Sequence, residues 1–229
     1  MGVKDLIKKF ARRCVYGAKV SSELFIPFLK KKGIEIGEGT VFYDPISTTI
    51  DIQNPKLLKI GKNVRVTRGV TILTHDYSWS VISGVYGECL GGVARVSIGD
   101  NVLIGVNAVI LKGVTIGNNV IIGAGSVVSG NCEDNSVYAG VPARKICTLE
   151  EYYVKKKKQT ASDIKAILEY IDVSSRAEIK HYLREYACQL DDVFSKEDIE
   201  KLMKDTGYFE KCKSFYQSND LSKMSLDRL

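Results

Sequence analysis

The stretch that decides the fold runs from Ile98 to Val128 and begins Ile98-Gly-Asp-Asn-Val-Leu-Ile-Gly105. An aliphatic residue returns at every sixth position of this stretch: Ile98, Ile104, Ile110, Ile116, Ile122 and Val128. A period of six fits neither an α-helix, with about 3.6 residues per turn, nor a plain strand, with a period of about two. It predicts a chain that runs a short strand, turns a corner and repeats. Three hexapeptides then close one triangular coil of a parallel β-helix.

Stacked coils also predict the core. Residues eighteen positions apart lie above one another, which pairs Ile98 with Ile116, Ile104 with Ile122, and Ile110 with Val128. Glycine and asparagine recur between these positions, and both tolerate the positive φ of tight turns. The alternative is a set of half-buried strands with frequent turns. Ordinary composition rarely places aliphatic residues in phase in this way, which favours the β-helix.

Composition places the chain among globular proteins. It has 229 residues, of which 45% are hydrophobic and 26% charged, enough for one or two domains. No apolar run approaches the roughly 20 residues of a membrane span, and the N-terminus lacks the apolar core of a signal peptide. The six cysteines show neither a CxxC pair nor metal-like spacing. We therefore expect reduced thiols, no bound metal and a cytoplasmic location.

Positive charge is concentrated at the N-terminus. Residues 1–32 carry nine basic and two acidic residues, a local charge of +7 in a chain of net charge +6. A second basic run, Lys155 to Lys158, follows the repeats. Such a surface can meet nucleic acid, anionic lipid or a phosphorylated ligand, or it can be a solvated helix face.

The pattern divides the chain into three zones. Residues 1–33 have helical apolar spacing and predict an N-terminal cap on the open end of the β-helix. Residues 34–147 carry the repeats, and residues 148–229 predict a small C-terminal helical extension. The hexapeptide register fails within the repeat zone, where residues 76–95 predict an extruded loop without a repeat pattern. A structureless loop of this length in a compact solenoid is usually functional.

Only two histidines occur in the chain. His181 lies in a helical pattern and predicts a packing or surface residue. His75 lies in Thr74-His-Asp-Tyr-Ser-Trp79, where the coil gives way to the extruded loop. A lone histidine is more often structural, but this position makes His75 the candidate for chemistry.

Three segments closely resemble the hexapeptide-repeat acyltransferases: Ile98–Gly105, Gly113–Val128 and Ala139–Ile146. Within these the chain looks most like the sugar O-acetyltransferases related to galactoside and maltose acetyltransferases. The Thr74–Trp79 segment and the Thr148–Tyr153 continuation favour the branch that acetylates surface polysaccharides. The resemblance covers about residues 34–153. It implies a left-handed β-helix, the reverse of the usual crossover hand, a homotrimer with three active sites, acetyl-CoA as co-substrate and a carbohydrate acceptor.

The resemblance also implies roles for individual residues. His75 matches the catalytic histidine of the family. The positions that match its acetyl-CoA contacts are Leu103, Gly105, Val106, Gly123, Ala124, Ser129, Arg144 and Lys145. Many relatives carry an aromatic residue where this chain has Leu103, which puts the details of that contact in doubt.

The implied reaction makes physical sense. A hydroxyl is a weak nucleophile near neutral pH, so a positioned base must take its proton as it attacks the thioester. Histidine titrates in the right range, and it needs an orienting acceptor. The candidates for that acceptor are Asp44, Asp51, Asp76 and Glu88. The residues expected to bind the acceptor sugar are Asp44, Asp51, Asp76, Tyr77, Trp79, Tyr86 and Glu88, although the aromatic ones are equally explained by a loop that packs on itself.

Other functions stay open at this point. A covalent mechanism through Cys89 competes with direct transfer, but no basic neighbour marks a thiolate, and we expect Cys89 to be a buried, unreactive thiol. A zinc carbonic anhydrase site is excluded, because it needs three histidines around the metal. A small-molecule acceptor (an antibiotic or serine) and a non-catalytic scaffold remain. We expect no nucleic-acid partner; with a lipid-linked acceptor, segment 1–32 would contact the inner face of the membrane.

Overall fold

The computed structural model describes residues 11–190 and 192–218. The chain divides into two compact units, Met1–Tyr152 and Tyr153–Leu229. Within the described ranges, none of the helices combines the length and apolar character needed to cross a bilayer.

The described part of the first unit, residues 11–152, contains fourteen short strands in three sheets. The strands are β1 (Glu35–Ile36), β2 (Val41–Phe42), β3 (Thr49–Ile50), β4 (Leu58–Ile60), β5 (Arg65–Val66), β6 (Thr71–Ile72), β7 (Val96–Ile98), β8 (Leu103–Ile104), β9 (Val109–Ile110), β10 (Thr115–Ile116), β11 (Val120–Ile122), β12 (Val127–Val128), β13 (Ser136–Gly140) and β14 (Ala143–Thr148). Sheet A has the order β1-β4-β7-β10, sheet B the order β14-β13-β11-β8-β5-β2, and sheet C the order β12-β9-β6-β3.

Each coil contributes one strand to each sheet, and all pairs are parallel except the final hairpin, β13 with β14. The columns of core residues that the period predicts are confirmed. Ile98 is in register with Ile116, Ile104 with Ile122, and Ile110 with Val128. These side chains are at most 1% exposed, and burial of each stabilises the fold by about 1.5–3 kcal/mol. Helices precede and follow these strands in the sequence, so the structure is a parallel β-helix, and the predicted fold class is confirmed.

The corners explain why glycine and asparagine recur. Asn101 and Asn119 have φ of 56°, in the left-handed region that asparagine tolerates. Asn101 Nδ2 donates to Asn119 Oδ1 at 2.8 Å, so the corners of neighbouring coils are also bonded together. Gly99 is required for a different reason: a Cβ there would lie 2.6 Å from the carbonyl oxygen of Gly117 in the next coil.

Helical segments cover the first coil. Residues 11–16 are helical and are followed by a 3₁₀ turn, Gly17–Val20, and by helix α1 (Ser22–Lys32), which Gly33 ends in the left-handed conformation. Phe25 of α1 packs edge-on against Phe42, with ring centroids 5.3 Å apart. Both rings belong to the β-helix core, so α1 packs on that core at the first coil. The first ten residues of the predicted cap lie outside the described residues.

The extruded segment contains helix α2 (Trp79–Tyr86), which the sequence pattern did not predict. The hexapeptide period is absent there because the residues follow helical geometry. The remaining helices are α3 (Leu149–Leu168), α4 (Arg176–Tyr182), α5 (Lys196–Asp205) and α6 (Phe209–Ser218). The second unit has its own apolar core, which includes Ile164, Ile179, Leu183, Phe194, Ile199 and Met203.

Candidate active site

The candidate site lies at the corner where the chain leaves sheet C. Strands β3 and β6 lie side by side in successive coils, with Ile50 in register with Ile72. Asp51 follows β3 directly, and His75 lies three residues after the end of β6. Parallel neighbours lie about 4.8 Å apart, so this register brings the carboxylate of one coil to the imidazole of the next.

Asp51 is the acceptor that orients His75. Its Oδ2 lies 2.5 Å from His75 Nδ1 and also accepts hydrogen bonds from the backbone amide and the hydroxyl of Thr74. Its Oδ1 accepts the amide of Gln53 at 2.9 Å. The side chain of Asp51 is 2% exposed and that of His75 is 14% exposed. Of the four carboxylates considered from the sequence, the structure therefore selects Asp51.

The hydrogen bonds keep Asp51 ionised. Burial alone raises the pKa of Asp51, but the hydrogen bonds from the Thr74 hydroxyl, the Gln53 amide, the His75 ring and the Thr74 amide outweigh burial, and the pKa is lowered from its ordinary value. A carboxylate can only accept hydrogen bonds. We therefore assign the proton to Nδ1 of His75, which leaves the lone pair of Nε2 free to act as a base.

Aromatic side chains lie beside the imidazole. The Tyr77 ring meets the His75 ring edge-on, with centroids 5.0 Å apart. Gln53 Nε2 donates to the Tyr77 hydroxyl at 3.3 Å. The ring centroids of Tyr77 and Trp79 are 6.5 Å apart. Tyr77 is 59% and Trp79 41% exposed. Exposed aromatic faces next to a base can pack against a ligand ring.

Asp76 fastens the base of the extruded loop. Its amide donates to Gly92 O at 2.8 Å, and its carboxylate pairs with Lys112 of the next coil at 2.9 Å. A hydrogen bond from the Ser78 hydroxyl, followed by the Lys112 ammonium, holds the pKa of Asp76 well below its usual range. These contacts give Asp76 a role in holding the loop, while Asp51 holds the imidazole.

The other residues predicted to bind the acceptor lie at an earlier corner or later in the extruded segment. Asp44 lies after β2, at the corner between sheets B and C, where it accepts the Ser47 hydroxyl at 2.9 Å. Tyr86 is the last residue of α2 and Glu88 lies two residues beyond it; both are exposed. A single chain therefore brings Asp51, Tyr77 and Trp79 to His75 but does not bring Asp44 to that corner.

The residues matched to acetyl-CoA contacts divide between corners. Gly105, Val106, Gly123 and Ala124 lie at the corner between sheets B and C, and Leu103 lies on β8 of sheet B, just before that corner. Ser129 follows β12, at the same corner as His75 but two coils away. Arg144 and Lys145 are exposed on β14, where Lys145 pairs with Glu133 at 2.6 Å. Within one chain, sheet C separates His75 from most of these residues.

Three residues of the site were missed from the sequence. Thr74 and Gln53 complete the hydrogen bonds of Asp51, and Lys112 anchors the loop through Asp76. Thr74 is adjacent to His75 and was within reach of inspection. Gln53 lies one coil before His75 and Lys112 lies one coil after it. Only the stacking of the coils shows that these residues are neighbours of the site.

The expectation that Cys89 is buried is wrong. Cys89 is exposed, and its Sγ accepts the Ser83 hydroxyl at 3.3 Å. The residue lies in the extruded segment, outside the stacked coils, where no core covers it. The buried thiol is Cys132, and its burial raises the pKa of Cys132 to about 11. Across residues 11–190 and 192–218, no group of three or more His, Cys, Asp or Glu side chains is arranged to hold a metal ion.

Comparison with known families matches residues 95–130 to the family described as "Bacterial transferase hexapeptide (six repeats)". Protein CapG of Staphylococcus aureus is 41% identical over 127 residues, which cover 56% of this chain and 73% of CapG. The putative acetyltransferase YvoF of Bacillus subtilis (strain 168) is 33% identical over 135 residues, covering 59% of this chain and 70% of YvoF.

Among solved structures, a maltose O-acetyltransferase from Clostridium difficile 630 aligns with 24% identity and a TM-score of 0.40, over 64% of this chain and 87% of its own. Soybean serine acetyltransferase complexed with serine aligns with 30% identity and a TM-score of 0.38, over 49% of this chain; the chain spans 40% of that enzyme. The two curated relatives are each matched over more than two thirds of their length. Together with the repeat match, they show that this chain belongs to the bacterial hexapeptide transferases and is an acyltransferase of that family.

Proposed function

We propose that the protein transfers an acetyl group from acetyl-CoA directly to a hydroxyl of a sugar, as part of a surface polysaccharide or its precursor, with His75 as general base. The observation that carries the proposal is the His75–Asp51 pair at 2.5 Å, with exposed aromatic rings beside it. The 33% identity to a putative acetyltransferase supports acetyl as the group transferred. The expected compartment is the cytoplasm, where acetyl-CoA is made.

The hydrogen bond between Asp51 and His75 supports a path in which the proton moves from the acceptor hydroxyl to His75 and then to CoA. Nε2 of His75 takes the proton of the acceptor hydroxyl while the hydroxyl oxygen attacks the thioester carbonyl. The C–S bond then breaks, and the imidazolium returns the proton to the departing CoA thiolate. Asp51, ionised and fixed by four hydrogen bonds, stabilises the imidazolium between these steps. No acyl-enzyme forms, so Cys89 has no covalent role.

The proposed acceptor class rests on the surroundings of His75. Tyr77 and Trp79 present exposed rings within reach of a group bound at the imidazole. A pyranose ring offers an apolar face of C–H groups, which packs on an aromatic face, and hydroxyls that point past it. Stacking on these rings would direct a ring hydroxyl towards Nε2. Tyr86 and Glu88 are proposed to contact further sugar units along the loop.

The separation of corners supports a homotrimer. His75 lies where the chain leaves sheet C, whereas Gly105, Val106 and Ala124 lie where it enters sheet C. Direct transfer requires the hydroxyl and the thioester to be within about 3.5 Å. A neighbouring copy that sets its donor corner against the His75 corner satisfies this requirement, and a closed ring of three copies repeats the contact three times.

The first experiment is an acceptor screen scored by release of the CoA thiol. Free sugars, nucleotide sugars, oligosaccharides, serine and an aminocyclitol antibiotic are incubated with acetyl-CoA and the protein. We expect release with a saccharide, a loss of about a hundredfold or more in His75→Ala, and nearly full activity in Cys89→Ala. Release with serine or the antibiotic alone would reject the sugar acceptor. Activity that survives His75→Ala but not Cys89→Ala would reject direct transfer, and no acetyl-CoA binding at all would favour a scaffold.

A second experiment tests whether the site is shared between copies. His75→Ala lacks the base, and Val106→Asp places a charge in the donor corner at a side chain that is 41% exposed. Each variant alone is expected to be inactive. Co-expression of the two should restore about a quarter of the activity, because random assembly pairs an intact His75 with an intact donor corner in that share of sites. No recovery in mixed assemblies would place the whole site within one chain.

A further inference from the structure

Helix α2 presents an apolar surface to solvent. None of its eight residues is buried, and none is charged. Its exposed fractions are high: Trp79 41%, Val81 69%, Val85 68% and Tyr86 78%, followed by Leu90 at 47%. Between Tyr77 and Val93 the only charged residue is Glu88. A contiguous exposed apolar segment of this kind indicates a surface that meets a partner.

A group of exposed lysines lies along the same corner as the base of this segment. Lys30, Lys31 and Lys32 end α1, and Lys56 follows in the first coil; we call these four the basic cluster. The end of α1 packs on that coil, since a Cβ on Gly33 would lie 3.8 Å from Pro55 and 3.9 Å from the Lys56 side chain.

The same first-coil segment also contacts the extruded loop. Gln53, two residues before Pro55, donates to the hydroxyl of Tyr77, which leads into α2. The basic cluster and the base of α2 are therefore joined through the short segment 53–56.

We propose that α2 and the basic cluster form a docking surface for an anionic lipid bilayer. Apolar side chains accompanied by tryptophan and tyrosine suit the boundary between head groups and acyl chains. Lysines beside them are attracted to acidic head groups. Charge complementarity favours an anionic lipid surface, because the four exposed lysines of the basic cluster would attract acidic head groups. The apolar part and the basic part then act on one surface.

The proposal places the catalytic corner at the membrane. Tyr77 lies between Trp79 and the His75 ring, so an occupant held at α2 is one aromatic residue away from the imidazole. A saccharide carried on a membrane lipid would reach the base without leaving the bilayer surface. This last consequence rests on the proposed function, whereas lipid binding itself does not.

The test measures vesicle binding without acetyl-CoA, so its outcome is independent of transferase activity. Full-length protein is mixed with vesicles of phosphatidylcholine, with and without about 30% phosphatidylglycerol, and bound protein is measured by sedimentation. Trp79 is the only tryptophan in the chain, so its fluorescence reports the environment of α2 directly. We expect binding to the anionic vesicles, weakened by salt, together with a shift of the emission to shorter wavelength.

Two variants separate the two parts of the surface. Val81→Asp combined with Val85→Asp should weaken binding about tenfold at every salt concentration and abolish the emission shift. Its matched control is Val173→Asp in the second unit, where the valine is 58% exposed. Replacing Lys30, Lys31 and Lys32 by Gln should weaken binding at low salt and flatten its salt dependence. Replacing Lys155, Lys156 and Lys157 by Gln removes the same charge from the second unit and should have little effect.

Several outcomes would overturn the proposal. The first is that the wild-type protein does not sediment with anionic vesicles. The second is that the Val81→Asp/Val85→Asp variant binds as the wild type does. The third is that the substitutions of Lys155, Lys156 and Lys157 weaken binding as much as the substitutions in the basic cluster do. Sedimentation velocity is run on each variant. A change in oligomeric state in Val81→Asp/Val85→Asp, without vesicle binding by the wild type, would assign α2 to a contact between copies. If the double variant has a lowered melting temperature, Val85→Ser alone is compared with the wild type, and a smaller loss of vesicle binding is expected.

Discussion

Two corners of the β-helix use the same device for different purposes. At the corner between sheets A and B, Asp100 Oδ1 accepts the amide of Lys62, Asn118 Oδ1 accepts that of Asp100, and Asp134 Oδ1 accepts that of Asn118. At the corner where the chain leaves sheet C, Asp51 accepts the amide of Thr74 in the next coil. In both places a short side chain satisfies a backbone donor of a neighbouring coil.

The difference lies in what else the acceptor binds. The Asp100–Asn118–Asp134 ladder is exposed and bonds coil to coil. Asp51 is buried, accepts four hydrogen bonds and holds an imidazole. Under the proposed function, a stacking contact becomes a catalytic pair when its acceptor is buried and a histidine takes one of its bonds. Ladder substitutions should then affect stability, and Asp51 substitutions should affect rate.

The largest expected effect is that of Asp51→Asn. An amide can present its NH₂ group to Nδ1, which favours the wrong tautomer of His75, and it cannot stabilise the imidazolium. We expect CoA release to fall about 10²- to 10⁴-fold, with little change in the KM for acetyl-CoA. Steady-state kinetics and the pH profile check this. Full activity in Asp51→Asn would show that Asp51 only bonds one coil to the next, as the ladder residues do.

Gly99→Ala should have the next largest effect, on stability and not on rate. Its Cβ would lie 2.6 Å from the backbone of the next coil, and such overpacking costs about 1–3 kcal/mol. The control is Gly130→Ala, where a Cβ meets nothing within 4 Å. Urea unfolding of both variants measures the difference. Equal stability would show that the coils can separate to admit a methyl group.

Asn118→Ala should have a smaller effect, confined to stability. It removes the acceptor of the Asp100 amide, an exposed hydrogen bond of 2.8 Å. The net value of one such bond is about 1 kcal/mol. We expect a lower free energy of unfolding and an unchanged rate of CoA release at saturating substrate. A loss of rate comparable with that of Asp51→Asn would contradict the division between ladder and site.

The smallest effect is the pH dependence of the Asp51 contribution. The pKa of Asp51 is lowered in the folded chain from 3.8, so its stabilisation is fully present above that value and is lost as the pH falls through the folded pKa. The free energy of unfolding of the wild type relative to Asp51→Asn should be constant near neutral pH and shrink below about pH 4. A difference that grows on acidification would mean that burial outweighs the hydrogen bonds.

Local signals in the chain were sufficient to predict the stacked coils. The six-residue period specifies which side chains face inward, so the Ile98–Ile116 column follows from counting alone. His75 was found because it stands where the period stops. Helix α2 was not predicted, because the six-residue period carries no information about a segment that leaves the coil. The exposure of Cys89 was misjudged for the same reason.

The sequence by itself determined the coil, its core and the one histidine available for chemistry, because a repeat of six residues acts through neighbours a few positions apart. Only the tertiary structure decided that Asp51 holds His75. The two residues are 24 positions apart and lie in successive coils, of which the first has an irregular segment that obscures the register. Four carboxylates were equally plausible until the strands were paired. Tertiary structure also left α2 without a core to pack on, since burial depends on what surrounds a helix and not on its own residues.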